Sequence, residues 1–164
     1  MNSYINTYLY FFNLFIIIMN SNQFIFRKLE ESDYHKNYLQ LLSQLTQVGH
    51  ISPEEFSNIF AKIQSQIWVF EDAQANKIVA TASIFLEQKF IHGGGIVAHL
   101  EDVVVDQTYR GVQLGQKLIS NIVEKARESG AYKIIADCKP ELVSFYSKNG
   151  FEKRGEQIAI YFSH

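Results

Sequence analysis

At 164 residues the chain is long enough for one domain with a sizeable core, and 47% apolar with 20% charged residues matches an ordinary globule. A formal net charge of −2 without a concentrated basic stripe argues against a nucleic-acid partner. Anionic small molecules stay open, since they need only a few local donors. The single cysteine, Cys138, excludes an intrachain disulfide and suits a reducing compartment.

Residues 8–19 are nearly all apolar, but the run is short for a membrane helix and Asn13 interrupts it. It lacks the basic n-region and small-residue cleavage site of a signal peptide. Met19 is followed by polar residues and a clean domain start. The expectation is a functional domain over 19–164, with residues 1–18 a dispensable extension or upstream of the true start. A membrane or signal-anchor role is the competing reading.

Residues 24–28 alternate apolar and polar as a first strand should. Glu31-Ser-Asp33 opens a helix on which Tyr34, Tyr38, Leu41, Leu42 and Leu45 recur at helical spacing, until Thr46-Gln-Val-Gly49 breaks it. Ser52-Pro-Glu-Glu55 starts a second helix with a serine N-cap, proline in the first turn and glutamate three residues after the cap. Its inner face is Phe56, Ile59, Phe60 and Ile63. Strands follow at 66–71 and 77–89, joined by the polar Asp72-Ala-Gln-Ala-Asn76. His92-Gly-Gly-Gly95 reads as a loop and 99–105 as a strand.

The longest helix spans 113–129, with Leu114, Leu118, Ile119, Ile122, Val123 and Ala126 on one face and Gly130 as its stop. Then come a strand at 132–138, a helix at 140–148 carrying Leu142, Val143, Phe145 and Tyr146, and strands at 151–156 and 157–162. The order βααβββαβαββ predicts an α/β fold, a mixed sheet with helices on its faces.

Arg110-Gly111-Val112-Gln113-Leu114-Gly115 lies between a strand and the longest helix. Loop N–H groups followed by the free N–H groups of a helix start form an anion site; the same residues also fit a plain strand-to-helix turn. Just upstream, Glu101 and Asp102 are adjacent strand residues. They point to opposite faces and cannot act as a side-by-side pair unless a bulge or splay intervenes.

The loop resembles the acyl-CoA pyrophosphate loop of the GNAT acetyltransferase superfamily, Gln/Arg-x-x-Gly-x-Gly/Ala, with Gln113 where the first glycine usually stands. Leu45-Thr-Gln-Val-Gly49, Lys89-Phe-Ile-His92, His99-Leu-Glu-Asp-Val103 and Asp137-Cys-Lys-Pro-Glu-Leu-Val-Ser-Phe-Tyr146, ending in Asn149-Gly150-Phe151, follow in the right order. Together they resemble the glucosamine 6-phosphate N-acetyltransferase branch, eukaryotic enzymes of UDP-N-acetylglucosamine synthesis, from Phe24 to the C-terminus. Within that branch glutamine at Gln113 is acceptable.

The resemblance implies a mixed, mostly antiparallel sheet flanked by helices. It also implies direct acetyl transfer from acetyl-CoA to the amine of D-glucosamine 6-phosphate in a ternary complex, without metal, in the cytoplasm. The partners implied are the amino sugar phosphate, acetyl-CoA and a second copy of the chain, with no nucleic acid and no membrane. It casts Tyr146 as donor to the leaving thiolate, against an alternative as a core tyrosine. Main chain at Val103, Val104 and Val105 would polarise the thioester and hold the pantetheine arm. Arg110, Gly111, Val112, Gln113, Leu114, Gly115 and Gln116 would hold the pyrophosphate.

Glu101 and Asp102 would face the amino sugar, Glu101 contacting the amine or a hydroxyl or acting as base through a water. Asp137 would hold the amine; the alternative is a cap for the helix at Pro140. Lys89, His92 and Lys133 would sit near the phosphate, with Thr46, Phe90, Ile91, Val103 and Tyr132 around the sugar. The bland alternatives are solvated lysines, a loop histidine and strand-edge acids.

One departure stands out: Tyr161 occupies the position of a C-terminal arginine that reaches the phosphate in relatives. Lys153 or Arg154 substitutes, phosphate affinity is weaker, or the acceptor is a different amine. Relatives dimerise through C-terminal strands and share active sites, and the apolar 158–162 suits such pairing. A non-catalytic acyl-CoA-binding module is the alternative from another class.

Overall fold

The computed structural model describes residues 23–162. The apolar extension and the boundary at Met19 lie outside the described residues. The elements are β1 (Phe24–Lys28), α1 (Tyr38–Leu42), α2 (Pro53–Phe60), β2 (Gln66–Asp72), β3 (Lys77–Gln88), β4 (Ile96–Val105), α3 (Leu114–Glu128), β5 (Ala131–Ala136) and α4 (Val143–Ser147). Short 3-10 turns stand at Glu31–His35, Gln107–Tyr109 and Pro140–Leu142, and a helical turn at Ile91–Gly94.

The five strands lie side by side in chain order. The first three junctions are antiparallel and β4–β5 is parallel, with α3 as the crossover between them. This is the expected mixed, mostly antiparallel α/β sheet.

Two apolar clusters sit on its two faces. Leu100, Leu114, Leu118, Ile119, Ile122 and Tyr146 join Phe70, Ala80 and Ile84 on the α3 side. Leu29, Tyr38, Leu41, Phe56, Val69, Ile78 and Val104 form the other. Along β4, Val103 and Val105 pack on the first cluster and Val104 on the second, as period-two alternation requires.

Local chemistry explains the element boundaries. Ser52 caps α2 as read from sequence: its side chain accepts from the Glu55 N–H and Glu55 returns the bond to the Ser52 N–H. The single helix expected from Glu31 onward is instead a 3-10 turn and a five-residue helix, because Asn37 between them is left-handed at φ 62°. Asp33, fully buried, receives both Arg27 guanidinium nitrogens at 2.7 Å, which ties that turn to β1. The helix expected over 140–148 is likewise a 3-10 turn followed by α4, and β4 starts three residues before His99.

The two closing strands expected over 151–162 are absent in the described residues. The segment is irregular and largely exposed, with Ile158 95% and Tyr161 94% exposed. The apolar pattern that reads as a strand has no neighbouring strand among the described residues, and a strand needs one.

Candidate active site

The chain opens where β4 and β5 part. Their pairing runs from Ile96↔Ala131 to Leu100↔Ala136 and stops. Beyond it, β4 continues to Val105 paired with β3 alone, so the β5-facing edge of Glu101–Val105 main chain has no strand partner among the described residues. A bulge falls at the same place: Ser83 pairs with Glu101 and Thr81 with Val104, so Asp102 and Val103 oppose one residue, Ala82. Asp102 takes φ 52°, a left-handed conformation rare for a side-chain-bearing strand residue. Alternation therefore fails at the point where the sequence left it open, and Glu101 and Asp102 are both exposed.

Burial at the strand ends, reinforced by the charges of Asp102 and Asp137, pushes the Glu101 carboxyl above its ordinary value; His99 opposes this. Raised proton affinity suits a base. Asp137 follows the end of β5 and its carboxylate accepts from Gln157 Nε2 at 3.0 Å.

Below the opening, the loop after β4 turns into α3. Gly111 is left-handed at φ +85° and Gln113 at φ 61°, ψ 14°. Gln113 is the N-cap residue and makes no side-chain cap, and the first turn of α3 holds no acid. The Lys117 N–H bonds back to the Gln113 carbonyl at 3.1 Å, which leaves the N–H groups of Leu114, Gly115 and Gln116 as the orphans of a 15-residue helix. Such a start favours an anion. Val112, 56% exposed, and Gly111, with nothing within 4 Å of an added Cβ, leave the approach open. These features fit the diphosphate of acetyl-CoA. Arg110 donates to the Val105 carbonyl at 3.4 Å, which brings its guanidinium stem over the strand end.

Tyr146 on α4 completes this side. It is buried, and its ring meets Phe145 and Phe151 edge-on at 5.1 and 5.6 Å. Burial, with Cys138 nearby, raises its phenol above 10. The only fully enclosed side-chain polar atom without a partner among the described residues is Trp68 Nε1. The Tyr146 hydroxyl makes no described side-chain hydrogen bond.

The cations gather at the opposite, paired end of the β4–β5 ladder, where Ile96 pairs with Ala131 and Val97 with Lys133. The His92 ring lies 4.4 Å from the Tyr132 ring, and Lys133 Nζ stands 5.6 Å over the same ring. Gly95 permits this approach, since a Cβ there would sit 2.8 Å from Tyr132 Cδ1. The Lys89 N–H closes the turn on the Gly95 carbonyl at 2.9 Å, and its ammonium pairs with Glu87. Phe90 is fully exposed and Ile91 is 61% exposed. Thr46 lies on the turn after α1, its N–H on the Leu42 carbonyl, and no described side-chain contact joins it to this group.

The Acetyltransferase (GNAT) family model matches residues 26–151. A rice protein (Oryza sativa subsp. japonica) named "Probable glucosamine 6-phosphate N-acetyltransferase 2" is 45% identical over 143 residues, 83% of this chain and 86% of that protein. The Arabidopsis thaliana protein named glucosamine 6-phosphate N-acetyltransferase is 41% identical over 144 residues, covering 85% and 97%. A crystal structure of glucosamine-6-phosphate N-acetyltransferase from Arabidopsis thaliana superposes with a TM-score of 0.83 at 40% identity, over 85% of this chain and 99% of that one. The chain belongs to the GNAT acetyltransferase family. GNAT acetyltransferases use acetyl-CoA, in keeping with the acid-free start of α3.

Within this GNAT domain, sequence reasoning missed three side chains that contact expected site residues. Glu87 bridges Lys89 and His99, the latter at 2.9 Å. Gln157 reaches Asp137, and Asn149 reaches Gln116 at 2.6 Å. None belongs to a residue pattern with its own chemistry, and only the register that brings β3 beside β4 reveals Glu87. Gln116, expected among the cofactor ligands, has its side chain engaged with Phe145 and Asn149; its main-chain N–H alone faces the loop. Among the described residues there is no His/Cys/Asp/Glu group that could hold a metal, and no helix is long and apolar enough to cross a membrane.

Proposed function

We propose that this chain transfers the acetyl group of acetyl-CoA to the amine of D-glucosamine 6-phosphate in a ternary complex, giving N-acetyl-D-glucosamine 6-phosphate and CoA. The observation that carries the reading is the opening at the β4 bulge. An uncapped helix start follows the strand end, Glu101 with its raised carboxyl stands at the bulge, and the His92–Tyr132–Lys133 group stands at the paired end of the same two strands. The relatives' names supply the acceptor.

Glu101 takes the ammonium proton, directly or through a water, while Asp102 and Asp137 hold the amino sugar. Main-chain N–H groups at Val103, Val104 and Val105 stabilise the developing oxyanion. Tyr146, a phenol protonated at neutral pH and pushed further up by burial, donates to the departing thiolate. Lys89, His92 and Lys133 neutralise the phosphate, with Thr46, Phe90, Ile91 and Tyr132 around the sugar. Lys153 and Arg154 pair locally with Glu156 and Glu152, as Lys89 does with Glu87.

The reaction serves UDP-N-acetylglucosamine synthesis in the cytosol, and the functional unit is residues 19–164. The chain works as a homodimer. The exposed Ile158, Ile160, Tyr161 and Phe162 and the outer edge of β5, unpaired among the described residues, support this part of the reading.

A thiol-release assay with acetyl-CoA and either glucosamine 6-phosphate or glucosamine tests the reading. Turnover is expected with the phosphosugar, and Tyr146→Phe lowers kcat about a hundredfold. Turnover confined to some other amine overturns the acceptor.

A further inference from the structure

We infer that Gln116 is a positioning residue, whose side chain clips the helix that carries Tyr146 to the helix start that receives the pyrophosphate. The inference rests on the acetyl-CoA reading above.

Helix α4 has only five residues, too few to hold its own shape. Its last turn is tightened: the Asn149 N–H bonds to the Tyr146 carbonyl at 2.9 Å and the Gly150 N–H to the Ser147 carbonyl at 3.0 Å. The Phe145 carbonyl is left to a partner from outside, and Gln116 Nε2 donates to it at 3.1 Å. The Gln116 Oε1 then accepts from Asn149 Nδ2 at 2.6 Å. A carbonyl can only accept, so Phe145 dictates the amide orientation and Asn149 completes it. One side chain of α3 thus grips the residues on both sides of Tyr146.

Gly115 adds shape to these bonds. A Cβ there would lie 3.2 Å from the Phe145 ring, so the absence of a side chain lets that ring rest against α3. Phe145 in turn meets Tyr146 edge-on. The Tyr146 phenol has no described side-chain partner, so its direction is set by how its helix is seated. The seat is the first turn of α3, the same turn whose N–H groups face the cofactor loop. The clip therefore fixes the distance between the pyrophosphate site and the thiolate donor.

Gln116→Met keeps the length of the side chain and removes both bonds. Expected are a kcat lowered about ten- to a hundredfold, a CoA Kd within about threefold of wild type, and a Tyr146→Phe/Gln116→Met double variant no slower than Tyr146→Phe alone. Amide exchange in the free protein should quicken over 143–151 and not over α3. Asn149→Ala, which removes only the anchor, should show a smaller kcat loss with the same CoA Kd, and it carries the test if Gln116→Met does not fold. Three outcomes overturn the inference: an unchanged kcat, a CoA Kd weakened tenfold with kcat intact, or unchanged exchange over 143–151. A wild-type protein that binds no CoA overturns the cofactor reading instead, and the exchange measurement still decides whether the clip holds α4.

Discussion

Helix α2 begins at Ser52, which closes a reciprocal capping box with Glu55 and is followed by Glu54 and Glu55 in the first turn. Helix α3 begins at Gln113, which is left-handed, caps nothing and is followed by no acid. Every helix start leaves donors unpaired and a partial positive charge. At α2 the chain meets that demand with its own side chains, and the start is closed. At α3 it declines to, although the helix is about twice as long, and the demand is left for a ligand. The difference separates a helix start that is architecture from one that is a site, and it is sharper than any glycine pattern.

The largest expected effect comes from closing the open start. Gln113→Asp brings a carboxylate to the N–H groups of α3, where it competes with a bound diphosphate. At about 6 Å from two phosphate charges and an effective dielectric of about 40, this costs about 3 kcal/mol, or about a hundredfold in CoA Kd. Calorimetric titration with CoA measures it, and the loss should shrink with added salt. An unchanged Kd would mean that the start of α3 binds no anion.

A second closed start gives a pH test. Asp106 accepts from the Thr108 N–H and hydroxyl and pairs with Lys77 at 2.6 Å. Burial pushes its carboxyl up, but Lys77 and Thr108 outweigh this and bring it down to about 2, against 3.8 ordinarily. A lowered folded value means that the stabilisation is present above about 3.8 and is lost as pH falls through about 2. Asp106→Asn keeps the cap and removes the charge. Urea unfolding should show a loss of about 2 kcal/mol at pH 7 that fades toward pH 2. A loss independent of pH would assign the effect to capping rather than to the charge.

How legible each start was follows from where its chemistry lies. Ser52-Pro-Glu-Glu55 is a local pattern, and the capping box stands where its spacing puts it. The α3 loop was legible as an anion site because its donors are backbone and contiguous. The bulge at Asp102 was not: its sequence continues an ordinary strand, and only the pairing of Ser83 with Glu101 and Thr81 with Val104 exposes the extra residue. Glu87, Asn149 and the side-chain role of Gln116 were hidden for the same reason, since their partners come from other elements. The two closing strands failed differently. Apolar periodicity over 151–162 is real, but a strand exists only against a neighbour, and none among the described residues pairs there.

At α2 the expected effect is smaller and falls on stability alone. Ser52→Ala removes one cap and should cost about 1 kcal/mol, a drop of about 3 °C in Tm, with CoA Kd and kcat unchanged. A shift in CoA affinity would break the division between closed and open starts.

The smallest effect lies in the conformation of the open start itself. Gln113 holds φ 61°, which strains a side-chain-bearing residue by about 1 kcal/mol. Gln113→Gly relieves that strain but gives the unfolded chain more freedom, which takes back about 0.5 kcal/mol. The net expectation is a gain of about 0.5 kcal/mol, a degree or two in Tm, with CoA binding retained because the donors are backbone. Thermal unfolding with and without CoA separates the outcomes. A loss of CoA affinity in Gln113→Gly would mean that the glutamine side chain is itself a ligand, and that the open start is less a backbone device than its missing cap implies.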